Sequence, residues 1–190
     1  MTWVAVRPDA SLAAVLVIIL FLTPVEGYAV RAGRALKLGK EKVTYLHFFL
    51  HDTISGENPT AVQVANPNST RFPFGFGSVF VIDDVLTEAV ERSSPVVGNA
   101  QGIDVLTGLD KFSLVMTREL PVDFAFTTGK YKGSSFSVMS RNPITETRRE
   151  LAVVGGRGKF RLARGVAQLT TRLLKYPDAI IEYNVTLFHY

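Results

Sequence analysis

The sequence predicts an all-β chain, an eight-stranded antiparallel up-and-down β-barrel around a central apolar pocket. Three observations carry that expectation. About eight runs rich in β-branched and aromatic residues are separated by Gly, Pro, Asn and Asp turn signals. One strand, Val43 to Asp52, is apolar or aromatic on both faces: Leu46, Phe48 and Leu50 alternate with Tyr45, His47, Phe49 and His51. A strand with one face in water shows a polar face, so an interior lies on one side of this strand and a further protein layer on the other. Finally, 47% of the 190 residues are hydrophobic, with 13 Phe and 6 Tyr, and there is no cysteine. A large core must therefore form without disulfides, which a closed barrel or an oligomer achieves.

The N-terminus reads as a secretory signal. Arg7 supplies positive charge, Leu12 to Leu22 is unbroken apolar sequence, and Val25-Glu26-Gly27 places small residues for cleavage after Gly27. The run falls short of the about 20 residues a membrane span needs. Removing 1–27 takes away Arg7, Asp9 and Glu26, leaving a chain more basic than the +4 of the whole. That charge suits an acidic polysaccharide matrix, and its scatter argues against nucleic acid. Asn68 and Asn184 head intact glycosylation sequons, whereas Asn58 is blocked by Pro59.

Residues 28–42 read as a flexible arm and 43–190 as one barrel domain. After the first strand come Ala61 to Ala65, then Phe76 to Asp83, then a polar excursion from Asp84 to Ser94. Val96 to Leu106 is a strand that can bend at Gly98 and Gly102. Phe112 to Met116 and Val122 to Thr128 flank Pro121, and Thr128 to Gly133 connects into Ser134 to Arg141. Leu151 to Val154 is short, and Gly155-Gly156-Arg157-Gly158 reads as a tight hairpin, since it lacks the Lys-Ser/Thr ending and helix of a phosphate loop. Phe160 to Tyr176 carries Leu162, Val166, Leu169 and Leu173 at helical spacing, but Gly165 and Thr170-Thr171 weaken a helix and its neighbours are strands, so strand is expected. Ala179 to His189 is the last strand, and no internal repeat is evident.

Chemistry is narrowed by what is missing. Without cysteine there is no thiolate nucleophile, zinc–cysteine site or iron–sulfur cluster, and there is no Gly-x-Ser-x-Gly elbow. His47 and His51 read as wall residues rather than metal ligands, so no metal or cofactor is expected. Acid–base or electrostatic help inside an apolar pocket remains, with Asp52, Asp104, Asn142 and Arg149 as candidates. The alternatives are that Asp52 opens the following turn, Asp104 and Asn142 end strands, and Arg149 is a surface charge.

Several blocks resemble the plant dirigent proteins. They are His51-Asp52-Thr53-Ile54-Ser55-Gly56-x-Asn58-Pro59-Thr60-Ala61-Val62, Phe74-Gly75-Phe76-Gly77, Asp83-Asp84-x-Leu86-Thr87 and Val97-Gly98-x-Ala100-Gln101-Gly102, then Gly129-x-Tyr131-x-Gly133-Ser134-Ser135, Arg149-Glu150-Leu151-x-Val153-Val154-Gly155-Gly156-x-Gly158 and Glu182-Tyr183-Asn184-Val185. The resemblance spans residues 43–190. It implies a barrel related to allene oxide cyclase, a trimer, secretion to the cell wall and a place in phenylpropanoid metabolism. Such proteins bind phenoxy radicals, for example from coniferyl alcohol, made by a separate laccase or peroxidase, and set the hand of the coupled lignan. They have no oxidative centre of their own. Asp52 matches the family's first-strand acid, a proposed proton donor, and Arg149 matches the arginine before the Glu-Leu-x-Val-Val-Gly-Gly block. Asn142 falls where lignan-forming members carry a second aspartate, and an Arg-Asn pair there resembles other branches, including pterocarpan synthases. Asp104 stands where tyrosine is common, and Arg157 replaces a usual Thr or Ser, which implies a different phenol. Three functions follow as expectations: a director of radical coupling that needs an external oxidant, a quinone-methide cyclase or dehydratase that does not, and a wall or defence binding protein.

Overall fold

The alternation of β1, Lys42–Asp52, sets the frame of the molecule, because Leu46, Phe48 and Leu50 are buried on one face while Tyr45 and His47 are exposed on the other. The structure is a computed structural model that describes residues 38–66, 76–107, 114–116 and 122–190. The leader, most of the arm and Asn68 lie outside the described residues. Ten more strands follow: β2 Ala61–Ala65, β3 Val79–Thr87, β4 Val96–Leu106, β5 Leu114–Met116, β6 Val122–Phe126, β7 Ser135–Val138, β8 Arg141–Asn142, β9 Arg148–Arg157, β10 Arg164–Lys175 and β11 Asp178–His189.

Eight of them close a ring in the order β1, β3, β4, β6, β7, β9, β10, β11, every pairing antiparallel. The last strand returns to the first, with Lys42 opposite His189 and Asp52 opposite Ala179. This is the up-and-down barrel the sequence predicts, and closure leaves no unpaired sheet edge in the ring. The short strands β2, β5 and β8 extend the sheet beside β3 and β4 at one end. Phe160 to Tyr176 is strand, not helix, from Arg164 onward, with Ala167 and Leu169 inside and Gln168 outside.

Half of the interior is solid. Phe48, Phe124, Phe136, Phe160 and Tyr183 are buried, with Phe124 stacked on Phe136 at 5.0 Å and Phe48 on Tyr183 at 5.3 Å. Each such ring contributes roughly 1.5–3 kcal/mol by burial. Close strand approach is needed at Gly98, where a Cβ would lie 1.9 Å from the Ala125 carbonyl oxygen.

Four expectations change. The polar run from Asp84 is not an excursion: β3 continues to Thr87, because Asp84 and Leu86 stay in phase with the inward Phe80 and Ile82. β9 runs through Gly155 and Gly156, and the turn comes only at Gly158–Phe160. The Ser134 to Arg141 strand is broken into β7 and β8. The outer layer over β1 is partial: it covers Phe49 and His51 but not Tyr45, which is 78% exposed. The cover comes from the β3–β4 connection, where Thr87 Oγ1 meets His51 Nε2 at 2.8 Å and Arg92 donates to Thr53 Oγ1 at 2.8 Å.

Candidate functional site

The other half of the barrel is a cavity of about 290 Å³ opening at the end where β1 finishes and β10 turns into β11. All four residues singled out in the sequence line it: Asp52, Asp104, Asn142 and Arg149. Asp52 ends β1 and Asn142 ends β8, as the alternatives had strand ends and turns, while Asp104 lies near the end of β4 and Arg149 near the start of β9, so strand ends bring all four to the cavity. Asp52 Oδ1, Asp104 Oδ1, Asn142 Oδ1 and Arg149 Nε are buried and without a hydrogen-bond partner among the described residues. A ligand's polar atoms can meet them there.

Asp84, Thr145, Thr171, Tyr176 and Tyr183 also line the cavity and were missed. Asp84 is 2% exposed, and its Oδ1 accepts from Thr60 Oγ1 at 2.5 Å. Thr60 is itself clamped, since its amide donates to Thr53 O at 2.7 Å and its hydroxyl receives the Thr53 amide at 3.0 Å. The signal for Asp84 was its phase: an acid on the inward register of an apolar strand.

The electrostatics are lopsided. Asp52, Asp84 and Asp104 stand on β1, β3 and β4, which are adjacent in the ring. Arg149 stands on β9, opposite β3 in the ring, with Thr171 on β10 and Tyr183 on β11, the strand that pairs with β1. Burial, then the Asp178 carboxylate, raises Asp52 to about 6. Burial, then Asp52, raises Asp84 to about 8 and Asp104 to about 7. Burial pushes the Arg149 guanidinium down and holds the Tyr183 phenol firmly protonated. Arg149 is aimed by two bonds, from Nη1 to Glu146 O at 2.6 Å and to Thr171 Oγ1 at 2.8 Å. One arc thus supplies carboxylic acids that still carry protons near neutrality, and Arg149 a cation that can polarise an oxygen. Phe80 and Phe124 are among the apolar lining residues, aromatic walls against which a flat ring can lie.

His47 pairs with Glu182 at 2.8 Å on the outside, and His51 is buried under Thr87. Asn184 is exposed on the outer face of β11, as an acceptor asparagine requires.

A closed barrel with a half-filled aromatic interior and an acid-lined mouth defines a class, the ligand-binding up-and-down barrels. Within it, the family described as "Dirigent-like protein" matches residues 43–188. Dirigent protein 15 of Arabidopsis thaliana is 50% identical over 163 residues, 81% of this chain and 84% of that protein. Pterocarpan synthase 1 of Glycyrrhiza echinata is 41% identical over 155 residues, 80% of each chain. A solved pterocarpan synthase dirigent protein superimposes with a TM-score of 0.78 at 40% identity, covering 86% of this chain and 99% of that one. The chain belongs to the dirigent family.

Proposed function

We propose that this protein imparts stereoselectivity on phenoxy radical coupling, binding phenol-derived intermediates and guiding their closure to one enantiomer. A separate laccase or peroxidase in the cell wall supplies the radicals. The observation that carries this reading is the polarised cavity, with three protonated-range acids facing one anchored arginine. Coupling of two radicals forms a carbon–carbon bond and leaves quinone methides. Arg149 polarises a ring oxygen, an acid donates its proton to a quinone-methide oxygen, and a substrate hydroxyl closes on the activated carbon, returning a proton to the carboxylate. Orientation by the aromatic wall selects the hand.

The reading includes secretion to the apoplast and assembly of copies into a trimer. Exposed apolar residues on the outer face of β2 and β3, Val62 at 50% and Val81 at 44%, favour self-association. Sedimentation of the secreted protein tests it, with a monomer as the overturning result.

The test of activity is chiral chromatography of coupling products. Coniferyl alcohol and a laccase are mixed with the protein, with an Asp52→Ala variant and with no protein. Enantiomeric excess that the variant loses supports the proposal, and a racemic product in every arm overturns it for this phenol.

A second reading is favoured by size and by kinship. The cavity's 290 Å³ lies near the lower end of ligand pockets, which begin at about 300 Å³, so one phenol-sized molecule fills it. Pterocarpan synthases are among the relatives. In this reading an acid protonates a benzylic hydroxyl, the carbon–oxygen bond breaks, water leaves with loss of the phenolic proton, and the quinone methide recloses within the molecule. Turnover of an isoflavonoid alcohol with no oxidant present selects this reading over the first.

A further inference from the structure

Two turns at the end of the barrel away from the mouth are the same structure built twice. Gly129-Lys130-Tyr131-Lys132-Gly133 joins β6 to β7, and Gly158-Lys159-Phe160-Arg161-Leu162 joins β9 to β10. Thr128 enters the first at φ −133°, ψ 172° and Arg157 the second at φ −133°, ψ 171°. Gly129 and Gly158 have φ 64° and 65°, and Lys132 and Arg161 leave at φ −47° and −52°. Both close with the same bonds: Lys132 N to Gly129 O and Arg161 N to Gly158 O, each 3.3 Å, then Ser134 N to Tyr131 O and Ala163 N to Phe160 O, each 2.9 Å. At the fifth position Leu162 takes φ 59° where the first turn has Gly133 at φ 79°.

The repeat dictates where the charges go. The third residue of each turn packs toward the barrel floor, Phe160 fully buried and Tyr131 half-buried, with their rings 4.8 Å apart. The second and fourth residues then face solvent, so Lys130, Lys132, Lys159 and Arg161 are all exposed. The turns are bolted together, since Lys159 donates its amide to Ser134 Oγ at 3.0 Å and its ammonium to Lys130 O at 2.7 Å. Neither turn contains an acidic residue, and Lys40, Lys42 and Arg157 lie at the same end, where Arg164 is paired with Glu41 at 2.6 Å. The acids that line the cavity belong to the other half of the barrel.

We propose that this double turn is a docking surface for a polysaccharide with repeating carboxylates, a polyuronate, which holds the protein by its floor and leaves the mouth open. Two copies of one cationic motif fit a ligand that repeats its own charge. Phe160 is buried in the floor, and the half-buried Tyr131 ring packs against it and lies under the Lys130 ammonium at 5.1 Å, so neither ring is free to stack on nucleobases. Leu162 is the only exposed large apolar residue in the two turns, too little for an amphipathic face that enters a bilayer.

The test measures binding of the protein to polygalacturonate, a neutral glucan, anionic vesicles and duplex DNA at low and physiological salt. It is repeated with a Lys132→Gln/Arg161→Gln variant, whose native side chains make no hydrogen bond or ion pair among the described residues, with the fourfold variant that adds Lys130→Gln and Lys159→Gln, and with Arg148→Gln/Lys175→Gln, which removes equal charge at the mouth end. Polygalacturonate binding should fall roughly tenfold in the double turn variant, further in the fourfold one, and less than about twofold in the mouth-end control. Equal loss in both double variants, no binding of polygalacturonate by the unaltered protein, or tighter binding to vesicles or DNA overturns the proposal. None of these outcomes depends on the reaction carried out in the cavity.

Discussion

Asp84 is neutralised by where it stands, and that has a consequence for pH. The native values of Asp52, Asp84 and Asp104, about 6, 8 and 7, all lie above the 3.8 of an unstrained aspartate. Between those limits the folded chain holds more protons than the unfolded one, so stability falls as pH rises from about 4 through about 8. Thermal melts at pH 5 and pH 8.5 should show the lower Tm at the higher pH. Asp84→Asn, which keeps the Thr60 bond through its amide oxygen, should narrow that gap, and an unchanged gap would refute the assignment. Asp178 gives a second handle. It is held ionised by the Ser55 hydroxyl and by the backbone amides of Ser55 and Ile54, and its charge helps raise Asp52. In Asp178→Asn the Asp52 value should drop, moving the alkaline limb of any acid-dependent activity to lower pH in a pH–rate profile.

At the scale of elements, the arrangement rests on a few close contacts between strands. β4 and β6 approach at Gly98, so Gly98→Ala forces a methyl group against the Ala125 carbonyl and should cost at least about 1–3 kcal/mol in denaturant unfolding. Arg149 is aimed across the β9–β10 pair, where Leu169 lies opposite it and Thr171 accepts its Nη1. Thr171→Val removes that acceptor, leaving Glu146 O as the remaining anchor, and should cost about 1 kcal/mol of stability; under the proposed function it should also lower the enantiomeric excess, because the guanidinium is held by one bond instead of two. Equal product chirality in that variant would show that the hydroxyl does not position the arginine.

The whole molecule is divided into a packed floor and an open mouth. Floor aromatics such as Phe136, 0% exposed, are surrounded by other rings, so Phe136→Ala should lower stability by about 3–5 kcal/mol in denaturant melts. This separation lets the acid cluster, costly to folding near neutral pH, sit on a scaffold stabilised elsewhere.

Alternation along β1 and β11, turn residues between runs and the missing cysteines were enough to specify strands, their number in the ring and an interior. These are local properties of period and propensity, and they hold wherever the strand is placed. The alternation along β1 marked Asp52 as an acid beside apolar walls. Asp84 has the same inward phase on β3, but an acid doublet with Glu88, Glu91 and Arg92 close behind looks like a loop until a partner strand shows that β3 continues. Ring closure decided the rest. That Asp52, Asp84 and Asp104 share one arc, that Arg149 faces them held by Thr171, and that two separate turns form one basic surface all depend on pairings between residues far apart in the chain. Burial and neighbouring charge, which set the acidity of those carboxyls, do not exist until the strands have met.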